Sequence, residues 1–163
     1  MRYICYILYF LSNFIDYSYK LFEKNTNKVI NIIDKTLIYN PNLNPNLNIA
    51  YEKRIKSSKR IISKLQRFKI PYDIYGLRII YNDTSDYYNT HSAYIIKNII
   101  YENFNTLDFI SDDYIEKPKK NNYQSLHIYI MTSLLIEIQI RNANMHNISI
   151  NGSASHYNYN KLK

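Results

Sequence analysis

Apolar residues recur along the first quarter of the chain at helix-compatible intervals. Phe14, Leu21, Ile30, Ile33 and Leu37 predict a helix over residues 14–39. The stretch before it, MRYICYILYFLSNF, puts one Arg ahead of a short apolar run, roughly as a signal peptide does. The apolar spacing continues through Tyr17, Leu21 and Phe22 without a small-residue cleavage site, which favours the first turns of an amphipathic helix. NPNLNPNLN, residues 40–48, interrupts the pattern with Pro41 and Pro45 and reads as a linker or surface loop. It divides a helical lead-in, 1–48, from a working domain, 49–163. From Ser58 a second amphipathic helix begins, with Ser57 or Ser58 as its cap. Ile61, Leu65 and Phe68 line one face of it and Arg60, Lys64 and Arg67 another. GLRIIY, 76–81, is a buried strand entered from Pro71 and Asp73. Residues 84–103 predict a helix with Tyr88, Ile95, Ile96, Ile99 and Ile100 inward. A polar loop spans 111–124, a hairpin follows, and 142–159 reads as a closing helix.

The hairpin carries the sharpest pattern. Ile136, Ile138 and Ile140 alternate with Glu137, Gln139 and Arg141, the signature of a half-buried strand. Solubility alone would accept any polar residues on the second face, yet it holds an acid, an amide and a base. Opposed residues in a hairpin share a face. Pairing Ile128 with Ile136 and Leu126 with Ile138 unites the apolar sets, with a loop at Met131, Thr132 and Ser133. That register sets His127 across from Glu137 and Ser125 across from Gln139, so the polar face is expected to floor a binding site.

Composition narrows the classes. A chain of 163 residues that is 46% hydrophobic can bury a core and is not disordered. Asn, Ile, Lys and Tyr are abundant together, as drift toward A/T-rich codons would produce, so few of the 19 tyrosines read as functional. The net charge of +8 points to anionic partners: nucleotides, nucleic acid or a membrane surface. A single Cys5 excludes an internal disulfide and a cysteine metal cluster. No apolar run reaches membrane-spanning length.

The ordered strings DYIEKPKKNNYQSLH (113–127), IEIQIR (136–141), Met145–His146 and His156–Tyr157 resemble the synthetase domain of the RelA/SpoT family of alarmone synthetases. RIK (54–56) with Lys64, and YDIYGLR (72–78), are weaker matches. The resemblance runs from about Arg54 to the C-terminus. It implies an α+β fold, a mixed and largely antiparallel sheet of about five strands flanked by helices. It also implies Mg²⁺-dependent transfer of the β,γ-pyrophosphoryl group of ATP to the ribose 3′-hydroxyl of GDP or GTP.

Carried over residue by residue, the resemblance makes Asp73 and Glu137 the metal-binding carboxylates and Glu137 the general base. A dense polyphosphate needs Mg²⁺, which takes one or two carboxylates plus phosphate oxygens. Arg54, Lys56, Lys64 and Arg78 match positions on the ATP side. Tyr123 matches the residue that stacks on guanine and is the exception among the tyrosines. Lys119 and Asn121 would contact the acceptor's phosphates and base, with His127 and Gln139 orienting its sugar and phosphates. Taken singly, each cation could be a solvated surface charge and Asp73 a turn former. His146 and His156 suit a structural role.

Four positions depart from the family pattern. Asn122 stands for a glycine, and asparagine tolerates positive φ better than most residues. Arg60 replaces a serine, Asp112 a lysine, and Ile150 an acidic residue. The segment between Lys64 and Asp73 is short, which leaves GDP against GTP preference unread. Two other readings stand beside an active synthetase: a decayed domain that holds a guanine nucleotide without turnover, and a basic RNA- or ribosome-associated module. A homo-oligomer is left open. The chain is expected to be a small stand-alone synthetase or a piece of a longer product. Relatives place it in bacterial cytoplasm, or in a plastid if the N-terminal segment is a targeting signal.

Overall fold

The computed structural model describes residues 2–40, 47–83 and 90–152. Its elements are α1 (Arg2–Tyr39), β1 (Leu47–Ile55), α2 (Ser58–Leu65), β2 (Tyr75–Asp83), α3 (His91–Asn103), a 3₁₀ turn (Asp108–Ile110), β3 (Asp112–Asp113), β4 (Leu126–Met131), β5 (Leu135–Asn142) and α4 (Ala143–Asn151). Five strands make one sheet in the order β1-β2-β5-β4-β3. The β2–β5 pair is parallel and the other pairs are antiparallel. The fold is α+β with a mixed, mostly antiparallel sheet, as the resemblance implies.

One face of the sheet is the core. Leu77, Ile79 and Tyr81 of β2 lie beside Ile136, Ile138 and Ile140 of β5, and Leu126, Ile128 and Ile130 of β4, all fully buried. Across them α3 lays Ile95, Ile96, Ile99 and Ile100, and α1 adds Phe22, Val29 and Ile33. Removing these surfaces from water is the main force holding the layers together. Polar ties fix α1 to β1: Lys53 Nζ reaches Glu23 Oε2 at 2.5 Å and Asn27 Oδ1 at 2.8 Å, and the Tyr51 hydroxyl donates to Asp34 Oδ1 at 2.6 Å.

Several expectations change in register or extent. β4 and β5 pair Ile128 with Ile138, Leu126 with Ile140, and His127 with Gln139, two residues away from the expected register. Tyr129, not His127, faces Glu137 directly. The turn moves one residue along the chain with the register, pairing Met131 with Leu135 around Thr132–Leu134. There the Thr132 amide and hydroxyl both donate to the Leu134 carbonyl. A shift of two leaves every side chain on its expected face.

β1 is a strand the sequence reading lacked, and it starts at Leu47, inside the stretch taken as a loop. The apolar stripe of α2 is not core: no α2 residue is buried, and Leu65 and Phe68 are exposed. Within the described residues the third helix starts at His91 and the last ends at Asn151. Tyr88 and His156 lie outside them.

Candidate active site

The second face of the sheet is polar, and strand pairing determines its rows. Glu52, Arg78, Gln139, His127 and Asp112 stand opposite one another across β1, β2, β5, β4 and β3. The next row is Arg54, Gly76, Glu137 and Tyr129. The alternation that buries the isoleucines therefore delivers these side chains to one surface. α4 closes one end of it, its first turn capped by the Asn142 side chain accepting from the Met145 amide at 2.8 Å.

Glu137 is the hub, and it is buried. Its Oε1 accepts from the Tyr129 hydroxyl at 3.0 Å and lies 3.0 Å from His127 Nδ1. Its Oε2 accepts from Gln139 Nε2 at 2.8 Å. Burial works to raise this carboxyl, but the hydrogen bond and charge of His127 outweigh it and hold the pKa below the ordinary value. Glu137 is thus kept as a carboxylate at neutral pH. His127 Nε2 in turn sits 2.8 Å from the Tyr123 hydroxyl. An N–H at His127 Nδ1 donates to Glu137 while Nε2 meets the Tyr123 hydroxyl, so the ring bridges both partners.

Tyr123 is half-buried and meets Tyr114 and His127 edge-on, with centroids 6.0 and 5.8 Å away. Lys119 Nζ lies 3.9 Å from the centre of the Tyr114 ring and 5.2 Å from that of Tyr123. The loop that delivers them closes tightly, with the Asn122 amide donating to the Lys119 carbonyl at 2.8 Å. Asn122 has φ 61°, the left-handed conformation that the glycine replacement raised, and asparagine adopts it at modest cost. The Tyr123 amide reaches Asn121 Oδ1 at 3.3 Å.

Asp73 precedes β2, and both its oxygens are engaged. Lys56 Nζ donates to Oδ2, and Lys64 Nζ donates to Oδ1 at 2.8 Å. Burial pushes the Asp73 carboxyl up, but the two ammonium groups prevail and hold it at about 2. Lys56 itself is lowered, first by burial. The charge of Asp73 is felt at Glu137, on the neighbouring parallel strand. Two carboxylates suit Mg²⁺ completed by phosphate oxygens and water. Among the described residues no group of three or more His, Cys, Asp or Glu gathers as a protein-only metal site.

The structure joins Glu137, Gln139, His127, Tyr123 and Arg78 in one network, with Lys119 over its aromatic edge. Arg78 bridges outward, its Nη1 2.5 Å from Glu52 Oε2 and its Nε donating to Gln139 Oε1 at 3.4 Å. Arg54 shares the face but is exposed. His146 lies 3.8 Å from Glu52 Oε1. Sequence reading did not assign Tyr114, Tyr129 or Arg141 to the site. Arg141 is 2% exposed, and its guanidinium donates to Gln139 Oε1 at 2.5 Å, to Ser149 Oγ and, at 3.5 Å, to the Tyr123 hydroxyl. Its signal was the third polar place in the Glu137–Gln139–Arg141 alternation. Asp112, a departure that pairs with His127 in the sheet, accepts from the Tyr114 hydroxyl at 2.8 Å.

A family profile described as "Region found in RelA / SpoT proteins" matches residues 53–163. A probable guanosine-3′,5′-bis(diphosphate) 3′-pyrophosphohydrolase of Synechocystis sp. is 35% identical over 102 residues, covering 61% of this chain and 13% of that protein. A GTP pyrophosphokinase of Haemophilus influenzae is 32% identical over 103 residues, covering 62% of this chain and 13% of that protein. The chain thus spans about an eighth of the length of these curated relatives. The crystal structure of small alarmone synthetase 2 from Bacillus subtilis superposes with a TM-score of 0.56 at 27% identity, over 82% of this chain and 76% of that one.

Proposed function

The chain belongs to the RelA/SpoT family, and we propose that its polar sheet face transfers the pyrophosphoryl group of ATP to the 3′-hydroxyl of GDP or GTP. The observation that carries this reading is Glu137. It is a buried carboxylate held in its charged form, hydrogen-bonded toward Tyr123 through His127, and electrostatically linked to Asp73. Names among the relatives include a hydrolase as well as a pyrophosphokinase. An ionised base between a cation set and an aromatic platform favours transfer to a nucleoside hydroxyl.

In this reading Tyr123 supplies a ring face to guanine, and Lys119 and Asn121 hold the acceptor from the loop. His127 and Gln139 orient its ribose and phosphates. Glu137 accepts the 3′-hydroxyl proton as the new bond forms between that oxygen and the β-phosphorus of ATP. The bond from the β-phosphorus to the bridging oxygen breaks, and AMP leaves with that oxygen. Arg54, Lys56, Lys64 and Arg78 neutralise the donor's phosphates. Lys56 and Lys64 are engaged by Asp73 without substrate, so an incoming triphosphate would draw them away and expose the carboxylate. Mg²⁺ held by Asp73 and Glu137 would polarise the phosphoryl oxygens and lower the barrier to attack.

The test is incubation of purified protein with ATP and GDP or GTP, with and without Mg²⁺, following AMP and guanosine tetra- or pentaphosphate. Absence of both products from folded protein, with Glu137→Gln indistinguishable, would remove the reading. Asp112 favours a second one, guanine-nucleotide binding without turnover, since it adds negative charge beside His127. Calorimetry showing binding of GDP with no product, lost in Tyr123→Ala, would select it.

A further inference from the structure

The excess charge of this chain is confined to one place. Residues 53–72 hold eight of the 21 Lys and Arg and none of the 13 Asp and Glu, so the rest of the sequence is balanced, thirteen against thirteen. The catalytic reading uses Arg54, Lys56 and Lys64 and leaves Lys59, Arg60, Arg67 and Lys69 with no task.

The same segment exposes apolar side chains. Phe68 is 99% exposed, Ile70 63%, and Ile62 and Leu65 54% each. Ile62 and Leu65 are three apart on α2 and so lie on one side of it. The chain then turns at Phe68, which adopts φ 53°. A left-handed conformation is unfavourable for a bulky residue, and here it presents the ring wholly to solvent. Lys64, on the other side of the helix, faces Asp73.

Apolar groups at this exposure call for a cover, and the charge around them decides which. A second copy would bring the same cations and repel. Residues 153–163 carry Lys161 and Lys163 and no acid, so they do not complement the patch. RNA would satisfy the cations and one base would find the Phe68 ring, but Ile62, Leu65 and Ile70, the rest of the apolar surface, offer bases no aromatic face to stack on. An anionic lipid surface takes both halves: headgroups pair with the cations while aliphatic and phenyl side chains enter the acyl boundary.

We propose that α2 and the turn at Phe68 form a peripheral docking surface for anionic membrane, with Phe68, Leu65 and Ile62 as the inserted groups and Lys59, Arg67 and Lys69 on the headgroups. Such docking would hold the site edge that carries Lys64 beside the membrane. It involves no span: among the described residues no helix is long and apolar enough to cross a membrane. It stands independently of the catalytic reading.

The test is sedimentation of the full chain with phosphatidylcholine vesicles, plain or containing phosphatidylserine, at low and high salt. Binding is expected to the phosphatidylserine vesicles and to weaken with salt. The double variant Leu65→Ser/Phe68→Ser should bind about tenfold or more weakly, with an unchanged circular dichroism spectrum since both side chains are exposed. Lys59→Glu/Arg67→Glu/Lys69→Glu should abolish binding. No preference for phosphatidylserine, or full binding by the serine variant, would overturn the proposal. So would capture of single-stranded RNA in place of vesicles, indifferent to Phe68.

Discussion

The two halves of the polar face differ in how far their chemistry is fastened before any ligand arrives. On β4, β5 and the loop that leads into β4, Glu137, Gln139, His127, Tyr123 and Arg141 are tied to one another and largely withdrawn from water. On β1 and α2, Arg54 is exposed, and Lys56 and Lys64 are both spent on Asp73. The first half is organised in advance, which is where electrostatic stabilisation costs least at the moment of reaction. The second is a set of cations that, in the proposed reading, would rearrange as phosphate displaces a carboxylate. Substitutions in the first half should therefore affect folding as well as turnover. Those in the second should affect turnover with little change in stability.

The largest effect is expected at Glu137. In the proposed mechanism Glu137→Gln removes the proton acceptor and one carboxylate of the metal pair, and turnover measured as AMP release should fall by roughly 10²–10⁴-fold. Arg141 comes next and tests the fastened half directly. Arg141→Ala leaves a cavity and strips a donor from Gln139, Ser149 and Tyr123, so urea unfolding should show a loss of about 3 kcal/mol. Arg54→Ala is the opposing control. It should leave the unfolding midpoint within about 0.5 kcal/mol while raising the KM for ATP. Equal destabilisation by the two arginine variants would dissolve the contrast between the halves.

Tyr123 sharpens the same contrast at smaller scale. Tyr123→Ala should weaken GDP binding by roughly 1–3 kcal/mol, the usual worth of a base on an aromatic ring. Tyr123→Phe keeps the ring but removes the hydroxyl that His127 and Arg141 meet. It should spare affinity and lower turnover, with calorimetry and steady-state kinetics reading the two separately.

How legible these features were depends on the kind of signal each one leaves. Strict alternation on β5 identified Glu137 and Gln139 and the face they share, because a period of two determines sides. It could not choose between registers two residues apart, which leave every side chain on the same face. The choice fell to the turn at Thr132–Leu134, which the Met131–Leu135 pair closes. β1 was hidden because its first residues, Leu47 and Asn48, complete an Asn/Pro repeat and Glu52 to Arg54, just before its end, are charged as befits an edge strand. Asn122 was legible as a backbone requirement, since few residues but glycine and asparagine accept φ 61°. The exposure of α2 was not: apolar spacing shows that a helix has a face, not what covers it. Arg141 was read as the third polar residue of a ladder, and only packing of α4 over it reveals a buried hub.

The smallest effect concerns Asp73 and reads the looser half through pH. Unfolded, this carboxyl titrates near its ordinary 3.8, and folded, at about 2. A depressed folded value means the stabilisation is complete above the unfolded pKa and is lost as pH falls from about 4 toward 2. The group is part exposed, so screening reduces its worth to on the order of 1 kcal/mol. Unfolding free energies of the wild type and Asp73→Asn should therefore differ at pH 5 and converge near pH 2. Glu137 loses stabilisation in the same direction in both proteins and cancels only in part, because the variant lacks the Asp73 charge that works to raise the Glu137 carboxyl. ATP should flatten the wild-type curve in this window if its phosphates take over Lys56 and Lys64, because Asp73 then loses the partners that depress it. A convergence unchanged by ATP would mean the two lysines stay on the carboxylate, and the half described as loose would be as fixed as the other.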